Sequence, residues 1–342
     1  MTRQPHPAEP RILILHATAG AGHRRAALAL ERAFTALLPG AHVRAMDTLQ
    51  FASRLFRRGY TPTYNALVGR VPRVWGTLYK GLEHPRIHRA TSPARLAIDR
   101  LNVRELAHFI EREKPSAVVC THFLPLEALA PRRGKGKLAA PLYCVITDFT
   151  AHPFWALDGI DGTFVATAAV REELADWGVT WEKIHVTGIP IDPRFAGGRL
   201  EESAARAQFH LAPDQPTALL MGGGNGVGPL ANLAERLLAL PSKPQVLVVC
   251  GRNARLRMRL RSLAEGLEGR LRALGYTDQV PALLSAADVI VTKAGGLTCS
   301  ESLAMGTPLV VFRPTPGQEE RNSLALASAG AAVRAKTFEQ VE

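Results

Sequence analysis

The chain has 342 residues, 46% of them hydrophobic, which is enough for two domains of ordinary size with a core each. Its formal charge of +12 and pI near 10.1 favour an acidic partner: nucleic acid, an anionic membrane surface or a phosphorylated substrate. Aromatic residues make up only 6%, which disfavours a single-strand stacking surface, and no apolar run approaches the roughly 18 residues of a membrane span. The polar, proline-containing start MTRQPHPAEP lacks the apolar stretch of a signal peptide. Four widely spaced cysteines, Cys120, Cys144, Cys250 and Cys299, with no C-x-x-C, fit a reduced cytoplasmic protein.

Residues 11–15 (RILIL) predict a buried strand, and HATAGAGHRRAALALERAFTALL then runs from a glycine loop into an amphipathic helix carrying Ala26, Leu30, Phe34 and Leu37. The full G-x-G-x-x-G is missing, because Arg25 stands where the third glycine belongs after Gly20 and Gly22. Asp47 follows a second strand-like stretch at 42–46, where a dinucleotide fold places its ribose acid, so a nicotinamide reading of this half stays open. His23 sits at the start of the helix, where the dipole disfavours the imidazolium. That suits a general base; a histidine that only packs or caps locally is the other reading.

Between residues 54 and 104 there are eleven Lys or Arg against two acids, interleaved with Phe51, Leu55, Phe56, Tyr60, Tyr64, Leu67, Val68, Val71, Trp75, Leu78 and Tyr79. Proline and glycine are expected to break the stretch into short pieces. Cations and aromatics in interrupted amphipathic segments suit an anionic membrane interface; a solvated helical insertion is the alternative, and no nucleic-acid recognition motif accompanies the charge.

Residues 115–120 and 141–147 predict further buried strands ending at Thr121-His122 and Asp148. His16, His122 and Asp148 would then surround one crevice beyond the strand ends. The segment TDFTAHPFW adds His152 and Trp155, and an Asp148–His152 pairing is equally readable as structural. A strand at 162–167, a helix at 171–177 and a strand at 184–188 complete the first half. The proline- and glycine-rich 188–198 reads as a hinge, giving domains 1–195 and 196–342.

The second half restarts with a strand at 218–221 and the turn Gly222-Gly223-Gly224-Asn225 feeding a helix, a backbone able to approach a diphosphate. Gly226, Gly228 and Ala231 satisfy G-x-G-x-x-A, but no acid ends the next strand, 245–250, as a dinucleotide site requires. Arg252, just past that strand, is placed to neutralise phosphate, whereas the remaining cations of 252–261 fall on a solvated face. The stretch 288–322, DVIVTKAGGLTCSESLAMGTPLVVFRPTPGQEERN, packs a strand, a glycine turn at Gly295-Gly296, a helix start, a second strand and a polar loop into 35 residues. Free N–H groups at that helix start favour an anion. Glu301 lies three residues after Thr298. It reads either as the carboxylate of a capping box or as an exposed carboxylate accepting from a ribose diol. Gln318 and Glu319, in a proline-fixed loop, supply the donors and acceptors that sugar hydroxyls require.

The strings TKAGGLT..ES and GQEERN, in that order and separation, resemble the nucleotide-sugar half of the monogalactosyldiacylglycerol synthase and processive diacylglycerol glucosyltransferase family, itself similar to the lipid II N-acetylglucosaminyltransferase. HATAGAGHRRAA resembles the family's N-terminal G-x-G-H loop, TDFTAHPFW a stretch near its acceptor site, and GIPIDPRF its linker. The resemblance runs from about Arg11 to Ala335 and departs at the end, where family members carry a further helix.

This resemblance implies a GT-B fold, two Rossmann-like α/β domains facing a central cleft. It also implies an inverting, UDP-sugar-dependent hexosyltransferase that makes a glycolipid from a diacylglycerol-type acceptor. It assigns His23 as the base and Gly22, Asp148, His152 and Trp155 to the acceptor. The nucleotide-sugar set is Gly223, Gly224, Asn225, Arg252, Tyr276, Gly295, Gly296, Leu297, Thr298, Glu301, Gln318 and Glu319. Within it the 295–298 turn would hold the diphosphate, Glu301 the ribose, Gln318 and Glu319 the sugar, and the backbone at Tyr276 the uracil edge. The sequence contains no D-x-D, so neither metal nor other cofactor is expected. The expected partners are a UDP-sugar, a diacylglycerol-type lipid and an anionic membrane surface, not nucleic acid, with the protein peripheral to the inner face of the membrane. Another GT-B enzyme, such as a lipid II glucosaminyl transferase or a sugar-nucleotide epimerase, and a non-catalytic UDP-sugar sensor are the alternatives.

Overall fold

Among the described residues of the computed structural model, twelve short strands of three to six residues, most of them apolar runs, build two all-parallel six-stranded sheets. The structure describes residues 9–18, 21–84, 87, 91, 97 and 102–342, apart from the side chains of 61, 64–66, 68–70, 72, 73 and 78–80. Gly20, Tyr64, Val68, Leu78 and Tyr79, singled out above, lie outside this description wholly or by their side chains, as do many of the cations of 54–104.

The first sheet has the order β2-β1-β3-β4-β5-β6, with β1 Arg11–His16, β2 His42–Asp47, β3 Ala117–Cys120, β4 Leu142–Val145, β5 Gly162–Val165 and β6 Ile184–Val186. Such strands are covered on both faces, so they read as continuous rather than alternating hydrophobics. Leu13, Leu15, Val118 and Cys120 pack into the larger core with Leu106, Ile110, Leu124 and Leu129 of the flanking helices, while Ile12, Ile14 and Val119 meet Ala27 of helix Gly22–Leu37 on the other side.

The second sheet has the order β12-β11-β10-β7-β8-β9, with β7 Thr217–Met221, β8 Gln245–Val249, β9 Leu271–Leu274, β10 Val289–Thr292, β11 Leu309–Phe312 and β12 Val333–Ala335. Helix Leu230–Leu238 lays Leu230, Leu233, Ala234, Leu237 and Leu238 on this sheet, the i, i+3, i+4, i+7 stripe of an amphipathic helix. Each fully buried leucine contributes about 1.5–3 kcal/mol. Asp288, which opens the 288–322 motif, is structural. Both of its carboxylate oxygens accept from Nη2 of the buried Arg206 guanidinium at 3.0 Å, and one also accepts from the Thr217 N–H at 2.7 Å, tying β10 to β7.

Contacts divide the chain into two units, one of Met1–Tyr64, Gly81–Thr147 and Ala151–Asp192, the other of Asn65–Lys80, Asp148–Thr150 and Pro193–Glu342. The hinge at 188–198 places every earlier residue in the first domain, whereas contacts group 65–80 and 148–150 with the second. Asn322 explains the latter. Its buried side chain donates to Asp148 Oδ1 at 2.9 Å and accepts from the Phe149 N–H at 2.9 Å.

The basic segment departs from the expectation of short pieces. Helix Arg54–Arg70 runs for 17 residues through Pro62 before helix Pro72–Glu83 begins. Phe51, Phe56 and Tyr60 pack against the first core, whereas Leu55 is 86% exposed. Among the described residues no helix is long and apolar enough to cross a membrane.

Candidate functional site

In an open parallel sheet the ligand crevice lies beyond the strand ends where the chain reverses its direction of travel across the sheet. The first sheet reverses between β1 and β3, so the residues after His16 and Cys120 face that position. His23 is the second residue of helix Gly22–Leu37, which has no side-chain cap. Its Nδ1 lies 2.7 Å from the Thr121 carbonyl oxygen and 3.0 Å from Thr147 Oγ1. A carbonyl can only accept, so Nδ1 carries the proton and Nε2 the lone pair. Burial lowers the His23 pKa to about 4, against the opposing effect of the Thr121 carbonyl. The ring is therefore neutral at pH 7 and presents a basic Nε2.

Around it stand His122, whose ring centroid is 4.6 Å away in an edge-on arrangement, and Trp155 at 6.5 Å. His122 is 2% exposed, and its Nδ1 accepts from the Leu124 N–H at 3.0 Å as the cap of helix Phe123–Gly134. In its neutral form the proton is therefore on Nε2, and burial holds its pKa well below the usual range. His16, also lowered chiefly by burial, is in register with Asp47. Asp47 accepts from Thr18 and from the Leu49 N–H at 3.0 Å, so it is a loop-fixing acid of this crevice.

Of the expected acceptor set, Gly22, His23 and Trp155 come together in the first unit. His152, buried nearby in sequence, caps the turn Pro153–Trp155 by accepting from the Phe154 N–H at 3.2 Å. Asp148 groups with the second unit. Its contacts are in the second unit, where it accepts from Asn322 and from the Gln318 amide; burial raises its pKa to about 6, against those two hydrogen bonds.

The second sheet reverses between β7 and β10, so the crevice lies beyond Met221 and Thr292. Here the loop after β7 and the loop after β8 meet backbone to backbone. A Cβ on Gly226 would fall 2.0 Å from the Cys250 carbonyl oxygen, and one on Gly251 2.4 Å from that of Gly224. Both have positive φ, so only glycine serves. The Arg252 N–H donates to the Gly224 carbonyl at 3.0 Å, and the Arg252 guanidinium stands 5.4 Å from the ring centre of Tyr276, itself 53% exposed. Asn225 is exposed at the loop's tip.

Beyond β10 the expected capping box is absent. Helix Gly296–Ala304 begins two residues before Thr298, its N-cap is Gly295, and no side chain caps it. The first N–H groups, at Gly296, Leu297 and Thr298, precede the first intrahelical bond, from the Cys299 N–H to the Gly295 carbonyl at 3.0 Å. The positive φ of this turn belongs to Ala294, at 62°, rather than to either glycine. Glu301 is 1% exposed, so it is neither the cap nor the exposed carboxylate of the alternative reading; it lies about one and a half turns into the helix. Gln318 and Glu319 are not loop residues either, but the first turn of helix Gln318–Ser328.

Three residues that the motif reading passed over stand in these crevices. Thr121 and Thr147 hold His23. Lys293, immediately after β10, pairs with Glu319 Oε1, whose other oxygen accepts from the Thr315 N–H at 2.9 Å. The lysine's stem occupies the space a Cβ on Gly223 would enter, 3.2 Å from its Cε. A lysine between a strand end and a glycine turn was the signal available in TKAGG.

Residues 23–191 match the family described as monogalactosyldiacylglycerol (MGDG) synthase, and residues 224–332 that described as glycosyl transferases group 1. The processive diacylglycerol beta-glucosyltransferase of Bacillus mycoides is 30% identical over 335 residues, 95% of this chain and 81% of that protein. The chain belongs to this family. The Bacillus pumilus relative of the same description is 33% identical over 240 residues, 70% of this chain, and the match spans 61% of that relative's length. Among solved structures, the Acinetobacter baumannii MurG is similar with a TM-score of 0.53 and 15% identity, covering 96% of this chain and 88% of its own. The kitacinnamycin glycotransferase is similar with a TM-score of 0.62 and 17% identity, covering 98% and 89%. Two doubly wound parallel-sheet units of this kind are the GT-B fold.

Proposed function

We propose that this family member is an inverting glycosyltransferase that moves a hexose from a UDP-sugar to a diacylglycerol-type lipid at the inner face of the cell membrane. The observation that carries the reading is the neutral His23 with its lone pair on Nε2, in the crevice of the first unit. The acceptor hydroxyl gives its proton to Nε2 while its oxygen bonds to the anomeric carbon. The bond from that carbon to the diphosphate oxygen breaks, and UDP leaves. Trp155 and Gly22 line the acceptor side of the same crevice.

In the second unit the diphosphate is held by the N–H groups of Gly296, Leu297 and Thr298 and by the glycine loop after β7, with Glu301 on the ribose and Gln318 and Glu319 on the sugar. The leaving group's charge meets these dipoles and Lys293, so no metal is needed in this reading. The charge and exposed apolar side chains of 54–104 support a peripheral contact with anionic lipid.

The lysine's part has its own test. Lys293→Met should weaken UDP about tenfold, the scale of one hydrogen bond to a charged group, and leave uridine nearly unaffected, as measured by calorimetry. An unchanged ratio of UDP to uridine affinity removes Lys293 from the diphosphate site.

The reading as a whole is tested by turnover on anionic vesicles containing diacylglycerol with a panel of UDP-sugars, following released UDP and extracted lipid together. A new glycolipid from one donor is the expected result. UDP binding without lipid product from any acceptor would favour a sensor, and epimerised UDP-sugar without glycolipid an epimerase.

A further inference from the structure

Histidine bases are commonly oriented by a carboxylate on the far ring nitrogen. His23 has none among the hydrogen bonds of its ring. Its Nδ1 faces two neutral oxygens, the Thr121 carbonyl at 2.7 Å and Thr147 Oγ1 at 3.0 Å. Thr121 holds the same residue a second time, because its hydroxyl donates to the His23 backbone carbonyl at 2.9 Å. Both threonines are buried, one just past the end of β3 and the other two residues past the end of β4, and the Thr121 N–H is itself tied to the Leu15 carbonyl at 2.9 Å. The ring and the main chain of His23 are thus gripped from one rigid edge of the sheet.

We infer that Thr121 and Thr147 are the positioning residues of His23, a carbonyl and a hydroxyl that together fix the Nδ1–H tautomer and steady the imidazolium formed when Nε2 takes the acceptor's proton. This rests on the transferase reading for the proton's origin, but the tautomer itself is a property of the resting protein. The carbonyl accepts the stronger share of the Nδ1–H, and the Thr147 oxygen accepts the rest. Both oxygens turn lone pairs toward Nδ1, so both stabilise the ring more once it is charged than while it is neutral. A neutral pair is the arrangement a buried crevice tolerates, since a carboxylate in that place would itself need desolvating. The proton gained in the transition state is then easily returned, because nothing anionic holds it on the ring.

Thr147 gives the cleaner test, because its contribution is a side chain. Thr147→Val keeps the volume and removes the oxygen. Transfer should fall in kcat by about tenfold, the scale of one hydrogen bond to a charged group, while the KM for the UDP-sugar stays within twofold. Thr147→Ser, which restores the hydroxyl, should recover most of the loss. Independently of activity, the nitrogen chemical shifts of protein labelled with 15N-histidine report the tautomer. The His23 signals, assigned by their disappearance in His23→Gln, should show protonated Nδ1 in the wild type and a larger Nε2–H share in Thr147→Val. A wild-type His23 protonated on Nε2 overturns the inference, and so does a Thr147→Val protein whose kcat and tautomer match the wild type. An Nδ1–H wild type that transfers no sugar would defeat the transferase reading and leave the tautomer assignment standing.

Discussion

His23→Ala lowers transfer by roughly two to four orders of magnitude, the contribution of a positioned general base, while the affinity for UDP and UDP-sugar stays near that of the wild type. The separation is expected because His23 belongs to the first unit, whereas the turns proposed to hold the phosphate belong to the second. The pH dependence sharpens the test. The base works only when unprotonated, and burial lowers its pKa to about 4, so kcat/KM should hold from neutral pH down through 5 and fall only near 4. A histidine of ordinary pKa would show its acid limb near 6.5.

Stability should carry the same signature with a definite sign. Between about pH 4 and 6.5 the unfolded chain binds a proton at this position that the folded chain refuses, so folding stability drops as the pH falls through that window. His23→Ala removes this loss and should be less acid-sensitive than the wild type in thermal melts at pH 5. Unimpaired transfer by His23→Ala would end its role as the base, whatever the melts show.

Most strands were legible because buried parallel strands are short, β-branched and bounded by polar residues; β9 and β12 were not, since each is a run of only three or four residues interrupted by an arginine. What the sequence hid is what only the strand order brings together. Thr121 is 98 residues from His23 and Thr147 is 124, and the motifs gave neither of these small residues at the strand ends a role. No spacing rule joins them; the parallel alignment of β1, β3 and β4 does.

The misreadings have local causes. Thr298 and Glu301 have the i, i+3 spacing of a capping box, but a helix that can start at Gly296 gains two more residues, so the threonine lies inside it. Gly295 and Gly296 look like the residues needed for a left-handed turn, yet Ala294 takes that conformation, and its carbonyl accepts from Asn322 at 3.2 Å. Phe51, Phe56 and Tyr60 share a stretch with many arginines, and charge density along the chain does not tell which side of a helix meets the core.

Glu301→Gln should raise the dissociation constant of UDP by roughly tenfold or more, the cost of losing one charge-assisted hydrogen bond to a ribose hydroxyl. The prediction turns on burial. A carboxylate 1% exposed, on the helix whose uncapped first turn is proposed to hold the phosphate, exchanges little water when it accepts from a sugar, so each bond counts for more than at an open surface. The same burial makes the substitution ambiguous by itself, because a change in a packed helix also lowers stability. The ligand resolves this. Wild-type protein should discriminate strongly between UDP and 2′-deoxy-UDP, and Glu301→Gln should discriminate much less, since its neutral amide oxygen accepts from the hydroxyl more weakly than the carboxylate does. A purely structural Glu301 predicts the opposite pattern: both ligands weaken together, the ratio between them stays at the wild-type value, and the loss follows the drop in melting temperature. Calorimetry with the two nucleotides on the two proteins separates these outcomes, because the ratio of affinities is insensitive to the fraction of protein that is folded.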